Sequence, residues 1–100
     1  MHISQDMAWD MMQSLKGYMI IDVRGNAEFR RGHLPGARNI PIETLMNRPI
    51  SKTTNRHMVI FVYCQNGGRA KRAAEYLEQL GFTNVYELGG IDGWTGAVVK

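Results

Sequence analysis

The sequence predicts an α/β fold in which a mainly parallel sheet lies between helices. Residues 18–23 (YMIIDV) and residues 58–63 (MVIFVY) are short, continuous apolar runs, the pattern of strands that are buried on both faces. Segments with helical patterning follow each run, and such alternation is typical of a parallel sheet with helices on both sides. The chain has 100 residues, which is the size of one domain, so we predict a single domain over residues 1–100.

The first half of the chain divides into six predicted segments. Ser4 is a suitable helix N-cap, and Asp6 falls in the first helical turn, where a negative charge is favourable. Pro and Gly are too frequent between residues 33 and 41 for regular structure there. In order, we predict a helix at residues 4–15, a buried strand at 18–23, a short helix at 26–31, an irregular segment at 33–41 with a brief strand near 38–40, a helix at 42–47 and a polar connection at 49–55.

The second half begins with the second apolar run and continues as a loop, a helix and a strand. Residues 69–80 are predicted to be helical because small and apolar residues recur there at helical spacing. The residues on that apolar face are Ala70, Ala73, Ala74, Leu77 and Leu80. Gly81 follows where a left-handed residue commonly ends a helix, so we expect Phe82 to fold back on Leu77. Residues 84–88 (NVYEL) are the last predicted strand.

Composition and charge narrow the class of protein. The chain is 44% apolar and 21% charged, which is typical of a folded globular domain. Its net charge of +3 favours binding of small anions or of acidic partner surfaces. The sequence lacks the stripe of basic residues interleaved with aromatic residues that is typical of a nucleic-acid-binding protein. No apolar run approaches the ~20 residues needed to span a bilayer. The N-terminus lacks a secretory signal pattern, so we expect a cytoplasmic protein with neither a membrane nor a nucleic-acid partner.

The loop after the second apolar run carries the strongest chemical signal. It consists of Cys64, Gln65, Asn66, Gly67, Gly68 and Arg69. Cys64 is the only cysteine, which excludes an intrachain disulfide and a CxxC pair. The loop joins a strand to a helix where ligands bind in open α/β sheets, and its paired glycines let several N–H groups turn toward one anion. We therefore interpret Cys64 as a reactive thiol rather than a structural cysteine.

Other polar and aromatic residues are interpreted more conservatively. Asp22 and Arg24 come at the end of the first predicted strand, beside the cysteine loop if the two strands are neighbours. Two interpretations stay open for them, an outer layer that orients the loop and a structural ion pair. His33 is interpreted as a turn anchor, Asp92 as a helix N-terminal residue and Trp94 as a core residue. The His and Cys residues lack metal-ligand spacing, so we predict no metal and no cofactor.

Four motifs, in the right order, resemble those of the rhodanese family and cover nearly the whole chain. They are Asp22-Val23-Arg24; Glu28-Phe29 with Gly32-His33-Leu34-Pro35-Gly36-Ala37 and Asn39-Ile40-Pro41; Cys64 through Arg69; and Leu88-Gly89-Gly90 with Gly93-Trp94. Each motif is weak alone, but their order is specific. The resemblance implies a rhodanese-like three-layer α/β/α fold with a mainly parallel sheet of four or five strands.

The same resemblance implies a thiosulfate sulfurtransferase. The Cys64 thiolate would attack the outer sulfur of a donor such as thiosulfate, sulfite would leave, and a thiol or cyanide would take the sulfur from a Cys64 persulfide. The loop backbone and the Arg69 side chain would bind the anion. The candidate substrate-binding residues are Gln65, Asn66, Gly67, Gly68, Arg69 and Ala70. A thioredoxin-like protein or another thiol is the expected acceptor.

Two alternative functions stay open. One is a phosphatase or arsenate reductase, which would also use a cysteine and an arginine at the ends of one loop. Four residues separate Cys64 from Arg69, whereas phosphatases of this fold have a Cys-x5-Arg loop, and the shorter loop suits one sulfur atom better than a tetrahedral phosphate. The other alternative is a non-catalytic redox or interaction module, which the presence of Cys64, the glycines and Arg69 together argues against.

Overall fold

The computed structural model describes residues 1–47 and 55–100. The predicted polar connection at residues 49–55 lies outside these ranges, apart from its last residue. The helices are α1 (Gln5–Ser14), α2 (Asn26–Arg31), α3 (Ile42–Asn47) and α4 (Gly68–Gln79), with a 3₁₀ turn at Ile91–Gly93. The strands are β1 (Tyr18–Asp22), β2 (Arg38–Asn39), β3 (Val59–Cys64) and β4 (Val85–Gly90). Every helix and strand predicted within the described ranges is therefore present.

The four strands form one parallel sheet in the order β2-β1-β3-β4. β1 and β3 lie side by side, with Asp22 opposite Tyr63, so the polar residues that end β1 reach the edge where β3 ends. At the other side of the sheet, Ile3 N donates to Glu87 O at 3.1 Å, and Glu87 N donates to Met1 O at 2.9 Å. The predicted mainly parallel sheet is confirmed.

Each face of the sheet has its own apolar core, as the continuous apolar runs predict. In β3, Ile60 and Val62 pack on the side of α3 and α4, whereas Phe61 and Tyr63 pack on the side of α1. The helices supply small and aliphatic residues to these cores, including Ala8 from α1. Helices therefore cover both faces of the sheet, and the predicted three-layer α/β/α fold is confirmed.

The ends of the helices follow the local signals in the sequence. Ser4 caps α1, its Oγ accepting a hydrogen bond from Met7 N at 3.1 Å. After α4, Gly81 has a φ of 97°, which is the left-handed conformation expected there. Phe82 N then donates to Leu77 O at 3.2 Å, and both residues are buried in the same core. The predicted cap and the predicted fold-back are both confirmed.

Two boundaries near the cysteine differ from the prediction. Cys64 is the last residue of β3 rather than the first residue after it, and β4 extends to Gly90 rather than ending at residue 88. The two differences have one cause, because Cys64 pairs with Gly90 after a shift of register between the strands. Glycines have low strand propensity, so the local sequence did not predict this pairing. None of the helices in the two described ranges is long and apolar enough to cross a membrane.

Candidate active site

Cys64 lies at the carboxyl edge of the sheet, where its side chain is fully buried. Its Sγ accepts hydrogen bonds from the N–H groups of Gly67, at 2.9 Å, and Ala70, at 3.3 Å. Ala70 lies in the first turn of α4, where backbone N–H groups have no partner within the helix. Two N–H dipoles and the positive end of a helix thus converge on one sulfur atom, an arrangement that stabilises an anion there.

The loop reaches this shape because one glycine lies within it and another lies directly against it. Gly67, the N-cap of α4, has a φ of 103°, a conformation that other residues rarely adopt. Gly90 lies directly against the loop, and a Cβ added there would be 2.2 Å from the carbonyl oxygen of Gln65 and 2.6 Å from Cα of Asn66. The end of β4 therefore supports the loop by close contact between backbones.

Arg69 closes the loop through an ion pair with Glu28 of α2. Its two terminal nitrogens donate to the Glu28 carboxylate at 3.0 and 3.1 Å, and Glu28 also accepts a hydrogen bond from Gly25 N at 3.0 Å. The bonds from Arg69 and Gly25 lower the pKa of Glu28 to about 2. The charge of Arg69 is therefore balanced within the protein, and its predicted binding of an anion by the side chain stays a prediction.

Glu28 is a member of this site that reasoning from residue spacing alone missed. It entered the sequence analysis only as a letter in a motif, since 41 positions separate it from Arg69. The available signal was the order of the motifs, which placed an acidic residue after the end of one strand and a basic residue after the end of its neighbour.

Asp22 and Arg24 form a buried ion pair beside the loop. Arg24 donates through Nη2 to Asp22 Oδ2 at 2.7 Å and through Nε to both carboxylate oxygens at 3.0 Å. Burial opposes the charge on the guanidinium, but the bonds to Asp22 outweigh it and raise the pKa of Arg24. Arg24 Nη1 also donates to Gln65 Oε1 at 3.1 Å. The two residues thus form a structural ion pair, and Arg24 also contacts the loop. That they orient the loop stays a prediction.

Gln65 and Asp92 join the loop to the turn after β4. Gln65 Nε2 donates to the carboxylate of Asp92, and Asp92 N donates to Gln65 O at 3.2 Å. Asp92, interpreted from the sequence as a helix N-terminal residue, is the middle residue of the 3₁₀ turn. Its contact with the loop was missed because 27 positions separate the two residues. Trp94 is half-buried against the core on the α1 side, and it also lines a cleft of about 330 Å³ that extends to Asn66.

His33 anchors a turn, as predicted. Its Nδ1 lies 3.0 Å from Phe29 O, and its ring stacks on that of Phe29 with centroids 3.8 Å apart. Its backbone exchanges two hydrogen bonds of 2.8 Å with Val99. The next residue, Leu34, donates from its backbone N–H to the hydroxyl of Tyr63 at 3.0 Å. Within residues 1–47 and 55–100, no three His, Cys, Asp or Glu side chains are grouped as a metal site would need.

Comparison with known proteins gives consistent matches. The chain is 42% identical over 80 residues to the uncharacterized protein YqhL of Bacillus subtilis, covering 79% of this chain and 62% of that protein. It is 30% identical over 96 residues to the thiosulfate sulfurtransferase GlpE of Haemophilus influenzae, covering 95% of this chain and 88% of that protein. It thus spans less than two thirds of YqhL but most of GlpE.

The fold and the family agree with these relatives. A solved structure described as a rhodanese with anions from Escherichia coli superposes with a TM-score of 0.76 at 30% identity, covering 84% of this chain and 99% of that one. The model of the rhodanese-like domain matches residues 4–97, a range that includes the loop from Cys64 to Arg69 and the strands that support it. The chain belongs to the rhodanese-like domain family.

Proposed function

We propose that this protein is a sulfurtransferase that carries a sulfane sulfur as a persulfide on Cys64. The donor is thiosulfate or another persulfide, and the acceptor is a thiol or cyanide. A thioredoxin-like protein is the proposed type of protein acceptor, since its thiol performs the same attack as a small thiol. The observation that carries the proposal is the pair of N–H groups, from Gly67 and Ala70, that donate to Cys64 Sγ.

The first half-reaction loads the enzyme with sulfur. The Cys64 thiolate attacks the outer sulfur of thiosulfate and forms a new S–S bond. The S–S bond of thiosulfate breaks, and its electron pair leaves with sulfite. The product is a persulfide anion on Cys64, and the N–H groups of the loop stabilise negative charge on sulfur without a general base.

The second half-reaction returns the free enzyme. Cyanide or an acceptor thiolate attacks the outer sulfur of the persulfide, and the electron pair of the broken S–S bond returns to Cys64. The products are thiocyanate or a persulfide on the acceptor. One sulfur atom moves in each half-reaction and no external oxidant or reductant is consumed, which is the pattern of covalent, ping-pong catalysis.

The length of the loop supports sulfur transfer over phosphate hydrolysis. The four residues between Cys64 and Arg69 make a shorter loop than the Cys-x5-Arg loop of phosphatases, and a shorter loop suits one sulfur atom better than a tetrahedral phosphate. Turnover of p-nitrophenyl phosphate faster than that of a Cys64→Ala variant would contradict this choice.

The decisive experiment is intact-protein mass spectrometry before and after incubation with thiosulfate, on the wild type and on Cys64→Ala. We expect the wild type alone to gain one sulfur atom and to lose it on addition of cyanide, with thiocyanate formed in equal amount. A small-molecule persulfide serves as a second donor. If neither donor adds sulfur to protein whose Cys64 is reduced and open to alkylation, the proposal is wrong.

A further inference from the structure

Gln65 is the one loop residue whose side chain bridges two charged groups of opposite sign. Its Oε1 accepts from Arg24 Nη1 at 3.1 Å, and its Nε2 donates to the Asp92 carboxylate. A carboxylate of this length would lack the donor for Asp92, and an ammonium group would lack the acceptor for Arg24. Of the side chains of this length, only a neutral amide satisfies both neighbours at once.

The bond to Arg24 is the stronger part of this bridge. The side chain of Arg24 is 4% exposed, and its Nε and Nη2 are already bonded to Asp22 and to Gly32 O. Nη1 is bonded to Gln65, so removing the amide would leave a buried cationic N–H without its partner. The loss of such a partner is destabilising, and more so when the donor is charged. Asp92 is exposed, so its bond to Gln65 contributes less.

The bridge ties the start of the loop to two separate elements. Arg24 follows β1 and is fixed by its buried pair with Asp22, and Asp92 lies in the turn after β4. The close approach of Gly90 to Gln65 O supports the same residue from the backbone side. The position of Gln65 in turn sets where the chain begins its path to Gly67, whose N–H must point at Sγ.

We infer that Gln65 is a positioning residue, whose bridge between Arg24 and Asp92 holds the cysteine loop in the shape that aims N–H groups at Cys64. This inference rests on the proposed function for its effect on sulfur transfer, but its effect on the reactivity of Cys64 stands without it. The bridge also keeps the loop closed over a thiol that has no exposed surface. Loss of the bridge should therefore uncover the thiol and misplace the N–H groups together.

The test compares Gln65→Met, which keeps the length of the side chain and deletes both bonds, with the double variant Gln65→Glu, Asp92→Asn. In the double variant the introduced carboxylate accepts from Arg24 and from the introduced amide, so both bonds are rebuilt and the net charge of the cluster is unchanged. Gln13→Met, at an exposed position on α1, controls for the same chemical change. Ile60→Val, at the other end of β3, controls for a small loss of stability.

Two rates are measured below the melting range of every variant: alkylation of Cys64 by iodoacetamide, at a pH high enough to ionise the thiol in every variant so that the rate reports its exposure, and sulfur transfer from thiosulfate to cyanide. For Gln65→Met we expect alkylation at least about threefold faster and sulfur transfer about tenfold slower, the scale of a misplaced reactive group. The double variant should return both rates to within about twofold of the wild type. Faster alkylation together with slower sulfur transfer indicates loss of positioning. Ile60→Val shows how far the two rates change when the protein is only slightly less stable.

Either of two results would overturn the inference. One is a Gln65→Met variant whose alkylation rate equals that of Gln13→Met, and the other is a double variant that stays as perturbed as Gln65→Met. A wild type that shows the expected alkylation pattern but transfers no sulfur would support the inference and contradict the proposed function. The two proposals therefore fail by different measurements.

Discussion

Gly90 is the residue at which β4 and the cysteine loop come closest. An added Cβ would lie 2.2 Å from Gln65 O, and this neighbour is backbone that cannot rotate away. We expect Gly90→Ala to displace the loop, to lower the free energy of unfolding by about 1–3 kcal/mol and to reduce sulfur transfer. Urea unfolding and the thiocyanate assay measure the two effects.

The control for this prediction is Gly93→Ala. A Cβ at Gly93 has no neighbouring atom within 4 Å, so the same methyl group should be tolerated three residues further along the chain. Equal stability and activity in the two variants would show that the close approach at Gly90 does not constrain the loop.

A second prediction at the scale of a residue concerns Glu28 and the pH dependence of the free energy of unfolding. Its pKa is about 2 in the folded protein, against an ordinary value of 4.5, so the unfolded chain takes up a proton that the folded chain does not. The stability that Glu28 contributes is present above about pH 4.5 and is lost as the pH falls toward 2. We expect Glu28→Gln to lower the free energy of unfolding by about 1–2 kcal/mol at pH 7 and by less than half as much at pH 3.

Urea unfolding at the two pH values measures this difference. Glu78→Gln, at an exposed position on α4, is the matched control and measures the effect of the same substitution away from the Arg69 ion pair. A gap for Glu28→Gln that is as large at pH 3 as at pH 7 would contradict the assigned role of the Arg69 pair.

At the scale of elements, the end of β1 depends on the ion pair between Asp22 and Arg24. The side chain of Asp22 is fully buried and that of Arg24 is 4% exposed, so removal of one partner leaves an uncompensated charge in the interior. We expect Arg24→Met to lower the free energy of unfolding by about 3–5 kcal/mol. Arg30→Met, at an exposed position on α2, should change it by less than about 0.5 kcal/mol.

Denaturant unfolding of Arg24→Met and Arg30→Met measures the two losses in free energy of unfolding. A loss below about 1 kcal/mol for Arg24→Met would show that the fold accommodates the Asp22 side chain without its partner. In that case the pair would not be what holds the end of β1 against the loop.

The helices and strands could be predicted from the sequence where the residues that specify them are close together in the chain. β3 is a continuous apolar run, α4 has an apolar face with helical spacing, and Gly81 ends it, so all three were found. The extension of β4 to Gly90 was missed because glycine carries no local strand signal, and the pairing depends on Cys64 of another strand. The same reason explains the misplaced end of β3.

At the scale of the whole molecule, the net charge predicts how the rate of reaction with an anionic donor depends on salt. The chain has a net charge of +3, while the charged groups that contact the loop are two ion pairs, Asp22 with Arg24 and Glu28 with Arg69, and the carboxylate of Asp92. A dianion such as thiosulfate is therefore attracted by the unbalanced charge of the whole protein, and added salt screens that attraction. We expect kcat/KM for thiosulfate to fall severalfold between about 0.02 and 0.5 M salt.

Alkylation of Cys64 by iodoacetamide, which is uncharged, is the matched control and should vary little over the same range of salt. If both rates fall together, salt acts on the loop itself and not on the approach of the anion. If neither falls, the net charge has no part in donor binding.

The sequence by itself determined the class of fold, the order of the elements and the position of the cysteine loop, because apolar periodicity, helix caps and glycine-rich turns act over a few neighbouring residues. Only the tertiary structure decided which charges meet. Arg69 takes Glu28 as its partner over 41 positions, and Gln65 bonds to Asp92 over 27. Such pairings depend on the register and spacing of strands in the sheet, and the free energy that selects them comes from the packing of the entire domain rather than from any local stretch of chain.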